Sequence, residues 1–154
     1  MASVCALVAS ALSAWFASAQ PQVPIQAIAA DRSVIEAQIK AGLLYAEQAF
    51  AELGRRDEAA LASAGRLAWE SYTMMRFAAQ GVRVLHAGRP SILADPLLLL
   101  AARNLNRARE MNIRARADIE NSIAYPASRT RYLASATRNL GESLRIVRQA
   151  AELF

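Results

Sequence analysis

The chain has 154 residues, of which 55% are hydrophobic and 20% charged, so its length fits one compact domain and its composition excludes wholesale disorder. Six Gly and five Pro are too few for an all-β protein with many turns or for a collagen-like chain. Eighteen Lys and Arg against thirteen Asp and Glu give a net charge of +5, which favours acidic partners. The single cysteine, Cys5, excludes an internal disulfide, an iron–sulfur cluster and a thiolate zinc site.

The first thirty residues have the pattern of an export signal. No charged side chain precedes Asp31, and the stretch 4–16 is almost wholly apolar or small. It is followed by an A-x-A cleavage pattern at positions 17–19, and it is too short and too rich in Ala and Ser for a membrane-spanning helix. We therefore expect a signal peptide over 1–19 and a periplasmic or secreted domain over 20–154 with no stable membrane anchor. A buried N-terminal helix is the alternative, because the segment lacks an early Lys or Arg.

Beyond a short Pro-containing leader, apolar residues recur with the period of an α-helix. The first predicted helix runs from about Ile25 to Leu53 and is expected to stop at Gly54, with Asp57 capping the next helix. The second spans about Glu58 to Ala87 and ends at Gly88. The residues expected to face the core are Ile28, Ile35, Ile39, Leu43, Ala46, Phe50 and Leu53, then Leu61, Ala64, Leu67, Ala68, Met75, Ala78, Ala79, Val82 and Leu85.

Two further helices complete the pattern. The Asp-Pro pair at 95–96 is a strong helix start; this third helix reaches about Ile123, and the fourth covers Ala127 to Leu153. Their expected inward residues are Leu97, Leu100, Ala101, Leu105, Ala108, Met111, Ala115, Ile119 and Ile123, then Leu133, Ala136, Leu140, Leu144, Val147 and Ala151. Similar helix lengths and short connections predict an all-α, up-down-up-down antiparallel four-helix bundle.

The chain lacks the common motifs of catalysis and cofactor binding. G-x-S-x-G, the P-loop, the dinucleotide-binding glycines, H-E-x-x-H and C-x-x-C-H are all absent from the sequence. His86 is the only histidine and suits a helix C-terminus; a haem held between His86 and Met111 is a less favoured alternative. We therefore expect no enzymatic activity, metal or cofactor.

The positive charge is concentrated in the second half of the chain. Residues 31–80 carry six cations and seven anions, whereas 81–154 carry twelve and six. Six arginines at helical spacing form two ladders that could hold the phosphates or carboxylates of a polyanion. They are Arg103, Arg107 and Arg114 on the third helix and Arg131, Arg138 and Arg145 on the fourth. Neighbouring acidic residues and the absence of interleaved aromatics favour a solvated charged face, without specific nucleic-acid binding.

The second predicted helix is apolar on two faces. Trp69, Phe77 and Val84 lie away from its main stripe, which indicates a partner-binding surface or, equally, coverage by the leader or a wider core. The favoured interpretation is an exported, non-enzymatic bundle that acts as a protein-interaction or self-assembling module in a bacterial envelope. Polyanion or anionic-surface binding by the arginine ladders is the alternative, and a haem or small-ligand carrier is a third hypothesis.

Two asparagines fall near the inward stripe of the third helix. A buried amide must find a hydrogen-bond partner, so Asn104 and Asn112 are expected either to fix the register between helices, as single polar residues do in coiled coils, or to line a small pocket. The register role is the favoured one.

Overall fold

The computed structural model describes residues 31–88 and 95–154, and every regular element in these ranges is a helix. The elements are α1 (Arg32–Arg55), α2 (Glu58–Ala87), α3 (Pro96–Ala124), a 3₁₀ turn (Pro126–Ser128) and α4 (Arg129–Glu152). The predicted all-α class is confirmed. The predicted signal peptide at 1–19, which contains Cys5, lies outside the described residues. The predicted core residue Ile28 also lies outside them.

Three of the four helices begin at an aspartate. The side chains of Asp31, Asp57 and Asp95 each accept a hydrogen bond from a first-turn backbone N–H, at 2.8–2.9 Å, which satisfies an amide that has no partner within the helix. Asp31 itself has extended backbone. The prediction of one continuous helix from Ile25 is therefore wrong, because the cap at Asp31 starts α1 at Arg32.

The turn between α1 and α2 also differs from the prediction. Gly54 is helical, α1 continues to Arg55, and Arg56 adopts the left-handed conformation with φ 61°. The predicted stop at Gly54 is wrong. The chain changes direction immediately before the Asp57 cap, so the left-handed residue that follows α1 is Arg56 and not a glycine. A left-handed backbone costs a non-glycine residue roughly 1–2 kcal/mol.

Each helix packs against the next one along the chain, and α1 also packs against α4. Two clusters of buried side chains, each with residues from all four helices, fill the space between them. One includes Ile39, Met75, Leu105 and Val147; the other includes Leu53, Leu61, Ile119 and Leu140. Because both clusters draw on every helix, burial of this shared apolar surface holds the four helices together.

Four predicted core residues are exposed instead. They are Phe50 (40% exposed), Leu97 (50%), Leu100 (44%) and Ala151. At the ends of α3 and α4 the inward positions belong to Leu98 and Ala150, one residue from the predicted ones. A uniform 100° wheel accumulates error along a helix of more than twenty residues, so its phase is least accurate at the ends.

Candidate interaction surfaces

The outer face of α2 carries the three apolar residues predicted to bind a partner. Trp69, Phe77 and Val84 are 40%, 47% and 43% exposed, whereas the inward stripe of the same helix is buried. Large side chains half open to solvent are typical of interaction sites when they occur together. Whether they bind a partner stays a prediction.

Trp69 is part of an aromatic stack that was not predicted from the sequence. Its ring lies parallel to that of Tyr72, with centroids 4.8 Å apart. From α3, the guanidinium carbon of Arg116 lies 4.7 Å from the Trp69 centroid, and that of Arg109 lies 5.9 Å from the Tyr72 centroid. Such cation–π contacts join α3 to the ring faces. The three-residue spacing of Trp69 and Tyr72 was the available signal, since it places both rings on one side of a helix.

The apolar face is bordered by three arginines and by two glutamates, Glu58 and Glu70. Arg66, Arg76 and Arg83 are exposed on α2, and none of them forms an ion pair within residues 31–88 and 95–154. At 100° per residue, these arginines and the three apolar residues fall within a sector of roughly 120°. We call this sector, with its arginines and apolar residues, the α2 outer face.

The arginine ladders of α3 and α4 are partly neutralised. All six predicted anion-binding residues are exposed: Arg103, Arg107, Arg114, Arg131, Arg138 and Arg145. The structure brings two of them together on one carboxylate. Oε1 of Glu142 lies 3.0 Å from Nη2 of Arg107 and 2.7 Å from Nη2 of Arg145. Arg145 also donates from Nε to the second oxygen of Glu142 at 2.9 Å, which completes a bidentate pair.

The shared carboxylate should give the protein a specific acid sensitivity. Hydrogen bonding from Arg145 lowers the pKa of Glu142 below its ordinary value of 4.5, and the charges of Arg145 and Arg107 act in the same direction. A pKa lowered by folding adds stability that is present above pH 4.5 and is lost as the pH falls through the lower folded-state pKa. We expect Glu142→Gln to reduce the loss of unfolding free energy between pH 7 and pH 3, measured by urea denaturation.

Glu110→Gln is the matched control for that measurement. Glu110 is exposed on α3 and forms no ion pair in the described ranges. The unfolding free energy of the Glu110→Gln variant should therefore change with pH as that of the wild type does. Identical pH profiles for Glu142→Gln and the wild type would contradict the assignment.

A buried polar chain crosses the bundle at one level. Nδ2 of Asn112 donates to Oγ of Ser71 at 2.8 Å, and that hydroxyl donates to the Gly42 carbonyl at 2.8 Å. The predicted position of Asn112 near the core is correct, since it is fully buried, whereas Asn104 is only half-buried. Oδ1 of Asn112 is buried without a partner in the described part of the chain. These two hydrogen bonds link α1, α2 and α3 in one register.

The two side chains suggested as haem ligands lie far apart. Asn112, next to Met111, contacts Ser71 on α2, and Ser71 precedes His86 by fifteen residues. Fifteen residues of helix span about 22 Å at 1.5 Å each. This separation excludes Met111 and His86 as the two axial ligands of one haem iron.

Within residues 31–88 and 95–154, no three His, Cys, Asp or Glu side chains are close enough together to hold a metal ion. None of the helices described is both long and apolar enough to cross a membrane. The described residues form an all-helical protein. No known family model, curated protein or solved structure shows detectable similarity to the chain.

Proposed function

We propose that this protein is an exported, non-enzymatic helical-bundle module that binds a protein partner through the α2 outer face. The observation that carries the proposal is the exposure of Trp69, Phe77 and Val84, at 40–47%, beside a core that is filled without them. Aromatic and arginine side chains are the residue types that dominate binding energy at interfaces.

The proposal includes the up-down-up-down arrangement of the helices. Ile35 near the start of α1 shares a buried cluster with Val82 near the end of α2 and Leu98 at the start of α3. Between the first and the last helix, Arg32 at the start of α1 packs on Phe154, just beyond the end of α4. Contacts of this kind support antiparallel neighbours, which place the whole outer face of α2 on the surface.

The charge of the α2 outer face favours an acidic partner over a second copy of the chain. A two-fold contact would place Arg66, Arg76 and Arg83 close to the same arginines of the other copy, and like charges facing each other cost free energy. An apolar patch with an acidic rim would instead complement both features of the face.

Export, with removal of 1–19, is part of the proposal and rests on the pattern of the first thirty residues. The intact mass of the secreted chain tests it.

Phe77→Asp is expected to weaken partner binding by about 30-fold, the effect of losing an interface residue worth roughly 2 kcal/mol. Val84→Asp should act in the same direction. Both residues are exposed, so the thermal midpoint should change little. The measurement is capture of envelope and culture-supernatant proteins by tagged wild type, followed by titration of the captured protein against each variant.

Leu44→Asp is the control for that experiment. Leu44 is 51% exposed on α1, so the substitution introduces the same charge at a similarly exposed apolar position outside the α2 outer face. Equal binding by Phe77→Asp and Leu44→Asp would refute the proposal. If the light-scattering mass of the wild type is that of a dimer and only Phe77→Asp lowers it to that of a monomer, the α2 outer face binds a second copy of the chain and not an acidic partner.

A further inference from the structure

A groove lies where the end of α1 meets the beginning of α4. Its volume is about 740 Å³, within the range of about 300–1,000 Å³ typical of small-ligand sites. Phe50, Leu53 and Leu133 supply its apolar lining, and Arg56 and Arg129 supply its charge. Among the residues that the structure describes, no acidic side chain lines it, so the two positive charges have no counter-charge from them within the groove.

The two arginines of the groove differ from neighbouring Arg55 in their ion pairing. Neighbouring Arg55 pairs with Glu52 and Asp57, whereas neither Arg56 nor Arg129 forms an ion pair in the described ranges. Nε of Arg129 is buried and has no hydrogen-bond partner there. Arg129 is half-buried, whereas Arg56 is exposed. An unpaired, half-buried guanidinium such as that of Arg129 is unfavourable unless an anion compensates it.

The same groove exposes an aromatic residue that a ligand would cover. Phe50 is 40% exposed. Exposed aromatic surface carries a cost in the free protein. An apolar chain would cover the Phe50 ring, and a carboxylate would pair with the arginines in the bidentate geometry that guanidinium groups favour.

We propose that this groove binds a small amphiphilic anion, with the head group on Arg129 and Arg56 and the apolar tail along Phe50 and Leu133. The shared chemistry is a carboxylate or phosphate joined to a hydrocarbon chain, from either a free fatty acid or a membrane phospholipid. The site lies on α1 and α4, away from the α2 outer face, so it stands or falls independently of the proposed function.

Titration of the full-length protein with dodecanoate, followed by calorimetry and by amide NMR shifts, tests the site. Dodecanoate should bind and shift the amides of Thr130, Leu133 and Thr137, which line the groove. Acetate, which has only the head group, and dodecanol, which has only the tail, should bind at least about tenfold more weakly. Equal binding of acetate or dodecanol, or NMR shifts outside the groove, would overturn the proposal.

Arg129→Gln should weaken dodecanoate binding about tenfold or more, as expected for loss of a charge-assisted hydrogen bond. Arg56→Gly should also weaken it, while relieving the left-handed backbone and so preserving the fold. Arg131→Gln is the matched control, because it removes the same charge from the same turn of α4 at an exposed position outside the groove. Equal losses in Arg129→Gln and Arg131→Gln would reduce the effect to net charge and refute the site.

Phosphatidylglycerol vesicles distinguish the two sources of the anion. Co-sedimentation that Arg129→Gln abolishes and Arg131→Gln retains assigns the groove to a phospholipid head group. Binding of dissolved dodecanoate without co-sedimentation assigns it to a free fatty acid. Binding of neither overturns the proposal. Phe77→Asp, which tests the α2 outer face, should leave dodecanoate binding unchanged.

Discussion

Gly42→Leu is expected to lower the free energy of unfolding by about 2–3 kcal/mol, the cost of forcing extra atoms into a close-packed interior. Gly42 is buried where α1 and α2 approach each other. A β-carbon there would overlap the terminal methyl group of Met75 and lie 3.1 Å from Cβ of Met74. The Met75 methyl group can move, but Cβ of Met74 is fixed by the α2 backbone, so a leucine would push the two helices apart.

Gly54→Leu, in the same helix, is the control. A β-carbon at Gly54 meets nothing within 4 Å, and replacing a helical glycine removes an unfavourable residue. Its unfolding free energy should therefore stay the same or rise by up to about 1 kcal/mol. Urea denaturation of both variants measures the difference. Equal midpoints for the two variants would show that α1 and α2 do not require a glycine at their contact.

Ser71→Ala is expected to destabilise the protein by about 2 kcal/mol, because it leaves the Asn112 amide buried without any hydrogen bond. In the wild type that amide donates to the Ser71 hydroxyl at 2.8 Å, and its oxygen is already without a partner in the described ranges. Asn112→Leu should cost less, under about 1.5 kcal/mol. It removes the whole amide at similar volume, and Ser71 can still donate to Gly42.

The double variant Ser71→Ala/Asn112→Leu completes the test. Once both polar groups are gone, no buried amide remains unpaired, so the double variant should be more stable than the sum of the two single losses predicts. We expect a coupling of about 1 kcal/mol between the two positions in a double-mutant cycle measured by urea denaturation. Additive losses would mean that the hydrogen bond between the two side chains does not contribute to stability.

The boundaries of α2 were predictable because their signals are local. Asp57 accepts a hydrogen bond from the N–H three residues ahead, and Gly88 follows the last helical residue. Both signals act within about one turn of helix. The same reasoning located Asp95 and Pro96 at the start of α3. It failed at Arg56, because the left-handed residue is set by how closely the Asp57 cap follows α1 and not by where a glycine occurs.

The candidate sites depended on contacts that sequence spacing does not report. Periodicity placed Trp69 outside the core, but it could not show that Arg116 covers its ring, because that contact joins two helices. It placed Arg107 and Arg145 in separate ladders, whereas the structure joins both to Glu142. The groove was not predictable from the pattern, since the helical period places Phe50 inside and nothing in the local sequence distinguishes Arg129 from the other arginines.

By itself, the sequence determined four amphipathic helical segments, most of their ends, and most of the residues they bury. These properties follow from interactions within four residues along the chain, which the pattern of side chains encodes directly. Only the tertiary structure decided which charges are paired, which rings are covered, and where the groove forms. Those features join residues such as Glu47 and Arg148, 101 positions apart, and their positions depend on how the packed helices are aligned.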